Sequence, residues 1–432
     1  MSRPRVLSPL AITAICIGSV VATLVLLAVV VGGLIATKVR AQVRPPQTAT
    51  VAEVALAEPV AARPEPARAT SNGSGVTYRN HQLQTPEGEP WSLHILKIER
   101  ARADLGFYTA HARDRVLAVS FIREQAAAVP PEIGQAIAGI NGDFYVRDQP
   151  TYAGDPRGLH IMNGELISAP DTVCVWFDTN GQPHLDEVKG LFYATWPDGK
   201  KTPFGLNQQR RNDTAVLFTP TLGTSTRTSG GHELILEKDG DGPWLPIRVG
   251  ENYRARVREV ATNTNTRLAP GTMVLSLGPQ LLAGLPELKP GLVLQLATTT
   301  TPNLSGVKAA IGGGPALIKD GKAFTLKDPP PGAPGGYAEG SKYMRHPRSA
   351  VGWSPTHIYF IVVDGRQPGL SVGMKLAELA EYFVSLGCTD AINFDGGKSA
   401  QLWFNDRIMN SPVNSEDTVA SSLLLVRKAT GR

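Results

Sequence analysis

Cysteine is scarce in this chain, with three residues in 432. That excludes a small scaffold held together by disulfides. Cys16 lies in an apolar N-terminal run. Cys174 and Cys388 lie in apolar, strand-like stretches, where a thiol packs as a small hydrophobe. A Cys174–Cys388 bridge is the open alternative for an extracytoplasmic domain. No Cys/His spacing matches a zinc site. Net charge is also lacking outside one segment. Residues 1–44 hold Arg3, Arg5, Lys38, Arg40 and Arg44 and no acidic residue. Without those five of the 43 basic residues, 38 remain against 38 acidic. A body of balanced charge offers no electrostatic basis for nucleic-acid binding. A phosphate-binding P-loop is missing too. Gly397-Lys398-Ser399 has the tail of one, but Ile392 stands where the first glycine belongs, so a nucleotide hydrolase is disfavoured.

One long apolar run is present. Leu10 to Thr37 carries no charged residue and exceeds the roughly 20 residues that span a bilayer as helix. It is too long for the apolar part of a cleaved secretory signal, and Arg40 spoils the following cleavage site. The expectation is a cytoplasmic N-terminus over 1–9, a single-pass signal anchor over 10–37, and an extracytoplasmic globular part. Residues 38–75 hold Pro45, Pro46, Pro59, Pro64 and Pro66 among alanines and read as an extended linker. The globular domain is expected over 76–432.

Within that domain the pattern is β-rich, with short apolar runs punctuated by Gly, Pro, Asn and Asp. "WSLHILKIER" alternates and reads as a strand. "FIREQAAAVPPEIGQAI" reads as helix broken at Pro130-Pro131. A later helix is clearer, because Leu376, Leu379, Ala380 and Phe383 fall at i, i+3, i+4 and i+7. Ser371 is a candidate cap for its start and Gly387 suits its end. The strand "THIYFIVV" precedes this helix and ends at Asp364; "DAINF" follows it and ends at Asp395. Strand, helix, strand predicts a βαβ crossover with parallel strands. As neighbours about 4.8 Å apart, the strands would present Asp364 and Asp395 side by side. The expected fold class is α+β, a β-rich mixed sheet with this late βαβ unit.

Several polar-plus-glycine stretches carry the candidate chemistry. "INGDFY" supplies Asn141 and Asp143; its plainer reading is an Asn-Gly turn. Gly312, Gly313 and Gly314 permit close approach of a ligand and can form a nest of N–H groups for an anion, or a simple bulge. "RHPRSAVGW" supplies Arg348, suited to bidentate phosphate contact, and His346, a candidate acid or base that is more often structural. "VVDGRQPG" supplies Asp364 and Arg366. Together these point to acid/base carboxylates beside an anion-binding surface, a combination that sugar-phosphate chemistry uses.

The ordered set "NGDFY", "LFTPTLGTSTRT", "PGTMVLSLGPQLLAGL", "IGGGPALIKDGK", "HPRSAVGW" and "VVDGRQPGLSVGMKLAELAEYFVSLGCTDAINFDGG" resembles the phosphodiester glycosidase family over roughly 138–426. The resemblance implies hydrolysis of the bond between a sugar's anomeric carbon and a phosphodiester. Cell-envelope glycans or glycolipid-type phosphodiesters would be the substrates, with no required cofactor; a divalent metal among the aspartates is allowed but not demanded. It implies a site of Asn141, Asp143, Gly312–Gly314, Arg348, Asp364, Arg366, Asp395, Gly396, Gly397 and Ser399. Asp364 and Asp395, with Asp143, would be the catalytic carboxylates. Arg348 would hold the phosphate, and Asn141 and Asp143 would orient the sugar. Lys398 departs from the family's third glycine; it either crowds the turn or adds a phosphate contact. The alternative is a non-catalytic module that binds envelope glycans on the same fold.

Overall fold

The computed structural model of the chain describes residues 70–71, 75–170, 172–324, 341 and 343–429. The expected N-terminus, the Leu10–Thr37 run and nearly all of the linker lie outside them. Among the described residues no helix is long and apolar enough to cross a membrane.

An eight-stranded sheet organises the domain. Its order is Thr70–Ser71, Val76–Gln84, Pro90–Glu99, His357–Val363, Arg348–Trp353, Asp390–Asn393, Ala316–Lys319 and Lys322–Ala323. Its central strands, Arg348–Trp353 and His357–Val363, are buried almost end to end because both faces are covered. On one face lies the helix Leu376–Ser385, which buries Leu376, Leu379, Ala380 and Phe383 as its spacing predicts. Each of the three large side chains contributes about 2 kcal/mol by leaving water. Gly352 allows the helix to sit close, since a Cβ there would meet the Phe383 ring at 2.7 Å. Gly387, at φ 75°, follows the helix end as expected. Ser371 does not cap its start; the Lys375 N–H is capped by Glu378 instead, at 2.8 Å. Ser371 donates to the Asp364 carbonyl at 2.6 Å.

The opposite face shares one apolar core with two five-stranded sheets. One of these runs Glu165–Ser168, His160–Met162, Ala309–Gly312, Val173–Phe177, Pro183–Glu187. The other runs Arg407–Ile408, Leu402–Phe404, Gly134–Asn141, Ser421–Lys428, Leu105–His111. The predicted helix around residue 122 is only Ile122–Ala127; beyond Pro130-Pro131 the chain becomes the strand Gly134–Asn141. Cys174 and Cys388 are buried free thiols, not a disulfide.

A closed seven-stranded barrel was not foreseen. Strands between Lys189 and Thr301 close on themselves around Leu234, Leu236, Tyr253, Leu275 and Leu296. Closure removes the exposed edges that so many short strands would otherwise present. The barrel also holds the parallel pair of Lys201–Leu206 with Ala215–Phe218, whereas the named pairings of the other sheets are antiparallel.

The βαβ expectation needs one correction. His357–Val363 and Asp390–Asn393 are parallel to each other but not adjacent. Both pair antiparallel with Arg348–Trp353, which lies between them. Arg348 sits opposite Val363 and Ala350 opposite Asn393. Asp364 and Asp395 therefore leave the same end of the sheet about 10 Å apart, two strand spacings, with the segment entering Arg348 between them.

Candidate active site

Asp143 and Asp395 come together across two sheets. Asp143 follows the strand Gly134–Asn141 and Asp395 follows Asp390–Asn393. The Asp395 N–H donates to the Gly142 carbonyl at 3.0 Å. The Asn141 amide donates to the Asp395 carbonyl at 2.6 Å. Asn141 Oδ1 in turn accepts from the Ser349 hydroxyl at 2.6 Å and the Gln401 N–H at 3.1 Å. Asn141 is thus a tie between strand ends. Its amide is engaged within the protein rather than held open for a sugar.

Asp143 is 3% exposed. Its Oδ1 accepts from the Phe144 N–H at 2.7 Å and its Oδ2 from the Gly158 N–H at 2.6 Å. Burial nevertheless lifts its pKa to about 7; those N–H bonds and the Arg157 charge oppose the lift, and the Asp395 charge adds to it. Asp395 is partly buried and accepts the Ser399 hydroxyl at 2.6 Å. Enclosure lifts it to about 6 against Ser399, Arg147, the Gly396 N–H and Arg157. Burial thus raises both carboxyls toward neutrality to different extents, which suits one to act as acid and the other as base.

Asp364 does not belong to this pair. It is 2% exposed and saturated with donors. Its Oδ2 lies 2.7 Å from His94 Nε2 and 3.1 Å from the Ser92 hydroxyl. Its Oδ1 accepts from the Ser411 N–H at 2.8 Å and the Asn410 amide at 3.3 Å. The Tyr78 hydroxyl, at 2.8 Å from His94 Nδ1, completes a buried chain. The intervening strand separates Asp364 from Asp395, and these donors make Asp364 the anchor of the 410–411 segment, so the expected Asp364–Asp395 pair is replaced by Asp143–Asp395.

Two anion-binding expectations are also corrected. Arg348 is 4% exposed and gives its guanidinium to three carbonyls: Met374 at 2.9 Å, Ser341 at 2.7 Å and Met344 at 2.8 Å. It braces the loop instead of reaching a phosphate. The glycine nest is occupied as well. The N–H groups of Gly312, Gly313 and Gly314 go to Leu159, Val173 and Asn393 carbonyls at 2.7, 3.1 and 2.7 Å. Gly312 serves by its size, since a Cβ there would stand 2.6 Å from Asp143 Oδ2. Gly396 serves likewise, 2.5 Å from the Pro347 oxygen, and the Gly397 N–H donates to that oxygen at 3.0 Å.

The cations that reach the site are others. Arg366 is exposed, and a Cβ on Gly397 would lie 3.4 Å from its Nη1. Lys398 is exposed on the same turn. Arg147, absent from the sequence reading, donates to the Ser399 hydroxyl at 3.0 Å and lies 4.8 Å over the Tyr145 ring. Arg157 is exposed and electrostatically felt by both Asp143 and Asp395. The signal for Arg147 was present in the i, i+2, i+4 spacing of Asp143, Tyr145 and Arg147. Among the described residues no three His, Cys, Asp or Glu side chains are grouped to hold a metal ion.

Residues 252–426 match the family model described as phosphodiester glycosidase. That span holds Asp364, Asp395 and the Arg348 and Arg366 loops, while Asp143 and Arg147 lie before it. No curated protein matches the chain. A solved protein of Synechocystis aligns at 18% identity with a TM-score of 0.67, covering 84% of this chain and 64% of that one. The chain thus spans less than two thirds of that protein's length. A protein of Burkholderia pseudomallei described as exported aligns at 21% identity and a TM-score of 0.59, covering 78% of this chain and 74% of that one. Both show the shared fold. The catalytic domain of zebrafish N-acetylglucosamine-1-phosphodiester alpha-N-acetylglucosaminidase, auto-inhibited by its pro-peptide, aligns more loosely. Its TM-score is 0.42 at 12% identity, over 84% of this chain and 88% of that one.

Proposed function

We propose that this chain, which carries a phosphodiester glycosidase domain over residues 252–426, hydrolyses the sugar–phosphate bond of sugar-1-phosphodiesters. The observation that carries the reading is the Asp143–Asp395 pair at two adjoining strand ends, their carboxyls raised by burial to about 7 and about 6, beside the exposed cations Arg147, Arg157 and Arg366. Near neutral pH Asp395 is the ionised member, suited to act as base or nucleophile toward the anomeric centre. Asp143 keeps the proton longer and is the acid. The anomeric C–O bond breaks with its electron pair on the phosphate oxygen. Water supplies hydroxyl to the sugar and a proton to the products. A phosphate leaving group is already a stabilised anion, so the acid has modest work to do. The cations offset the charge that develops on the phosphate.

The substrates proposed are cell-envelope glycans or glycolipid-type phosphodiesters, reached by an extracytoplasmic domain that Leu10–Thr37 anchors in the membrane. Protease protection in intact cells tests that placement: cleavage of the globular part only after lysis would refute it. The activity is tested with the purified full-length chain and 1-phosphodiesters of N-acetylglucosamine and glucose, following free sugar. Release by wild type and none by Asp395→Asn is the expected result. Equal release by both removes Asp395 from the mechanism.

A further inference from the structure

Among the exposed cations near Asp395, Arg147 is tied to it by a chain of hydrogen bonds. The Ser399 hydroxyl spends its one hydrogen on Asp395 Oδ2, at 2.6 Å, and accepts from Arg147 Nη2 at 3.0 Å, so that nitrogen lies within about 5.6 Å of the carboxylate oxygen. The Tyr145 hydroxyl donates to the Thr418 carbonyl at 3.1 Å and accepts from the same Nη2. The Tyr145 ring, itself buried, lies 4.8 Å from the guanidinium carbon in a cation–π contact. Asp417 Oδ2 stands farther off, 3.5 Å from Nη2. All of these hydrogen bonds hold one nitrogen. Among the described residues Nε and Nη1 take no partner, and the side chain is 39% exposed. Arg366 differs, since it gives both Nε and Nη2 to His346 Nδ1, at 3.4 and 3.3 Å.

An arginine that served only to neutralise Asp395 would contact it, at about 2.8 Å. Here one hydroxyl keeps the two charges apart. Among the described residues Ser399 is the one side chain that hydrogen-bonds the Asp395 carboxylate, so Oδ1 is clear of side-chain donors. A carboxylate and a guanidinium held apart in this way match the two ends of a breaking glycosyl–phosphate bond. As that bond lengthens, the anomeric carbon gains positive charge and the phosphate oxygens gain negative charge. Reacting atoms sit about 3 Å apart, and phosphorus is two bonds beyond the anomeric carbon. The phosphate of a sugar bound at Asp395 is then about as far from the carboxylate as the guanidinium is.

We infer that Arg147 is the ligand of the departing phosphate: Asp395 faces the anomeric carbon, and the unpartnered nitrogens of Arg147 donate to a non-bridging phosphate oxygen. This rests on the sugar-phosphodiester reading and deepens it by naming the residue that selects a phosphate leaving group. The glycosyl C–O bond breaks with its electron pair on the phosphate oxygen, and water supplies the hydroxyl to the sugar. Arg147 stays protonated throughout and stabilises the anion. It is a catalytic residue in that it touches the leaving group; Tyr145 and Ser399 position it.

Two substrates of the same sugar and anomer test this on the full-length chain: a 1-phosphodiester, and the glycosyl fluoride, whose leaving group carries no phosphate. Arg147→Ala also removes a charge that lowers the Asp395 pKa, but that effect slows both substrates alike. Loss of a charged donor to a developing anion costs about a hundredfold in rate. The variant is expected to lose that factor in kcat/KM on the phosphodiester and at most about tenfold on the fluoride. Binding of dimethyl phosphate, which has no anomeric carbon to cleave, is read from phosphorus line widths and should weaken about tenfold. If the alanine variant does not fold, Arg147→Lys, which keeps the charge but not the planar fork, gives the same comparison with a smaller loss. Equal losses on both substrates overturn the phosphate contact and leave Arg147 acting on Asp395 through Ser399. Unchanged dimethyl phosphate binding by a folded variant overturns it as well, and the glycosidase stands if wild type still releases sugar. Arg147-dependent binding of dimethyl phosphate without sugar release from any 1-phosphodiester supports the phosphate contact and overturns the glycosidase.

Discussion

Replacing Asp395 by asparagine should abolish turnover and, above pH 6, make the protein more stable. The folded protein raises this carboxyl from 3.8 to about 6. A raised carboxyl favours the folded state below its unfolded pKa, and that advantage disappears as pH rises through the folded value. Between about pH 4 and 6 the unfolded chain has released the proton while the folded chain still holds it, so stability falls. A shift of that size corresponds to about 3 kcal/mol at one unit per 1.36 kcal/mol. Asp395 is partly solvated, so about 1–2 kcal/mol is the expected gain for Asp395→Asn at pH 8. Removing the charge also relieves Asp143, whose pKa the Asp395 carboxylate helps to raise. At pH 4 both forms are neutral here, and the gain should vanish. Urea unfolding of wild type and variant at pH 4 and pH 8, with sugar release measured at pH 7, tests this. A variant no more stable at pH 8 than wild type would refute the claim that Asp395 is ionised against the preference of its surroundings.

Arg348→Ala should act on stability before activity. Three carbonyls lose a charged donor, two of them on a segment that water can reach, so the loss is about 3 kcal/mol. A thermal transition unchanged from wild type would restore Arg348 as a candidate phosphate ligand. Gly312→Ala should lower turnover about a hundredfold, because its Cβ displaces Asp143 and the Gly158 backbone at 2.6 and 2.9 Å; full activity in the folded variant would show that Asp143 needs no such fit. Ser399→Ala removes the hydroxyl that holds Asp395 down, so the acid limb of the pH–rate profile should move upward. A limb that stays in place would mean that a different group controls it.

Much of this was written in short-range pattern. The helix Leu376–Ser385 followed from four apolar residues at helical spacing, and the strands ending near Asp364 and Asp395 followed from their apolar runs. The resemblance was legible because the motifs keep chain order, and the span 252–426 that matches the phosphodiester glycosidase model falls within the 138–426 resemblance. Charge balance and the failed P-loop spacing followed from counting residues.

Tertiary structure decided which polar groups meet and which are already engaged. No periodicity says that Arg348–Trp353 inserts between two strands joined by a helix, yet that insertion separates Asp364 from Asp395. Nor does composition tell an open arginine from one sealed on three carbonyls, because Arg348 and Arg366 differ only in what surrounds them. Strand propensity could not announce that seven strands close into a barrel, since closure depends on pairing between Lys189–Thr195 and Val293–Thr301. Local sequence determines the elements because neighbouring side chains set backbone preference. Pairing, burial and pKa depend on residues hundreds of positions apart, and only the folded chain brings those together.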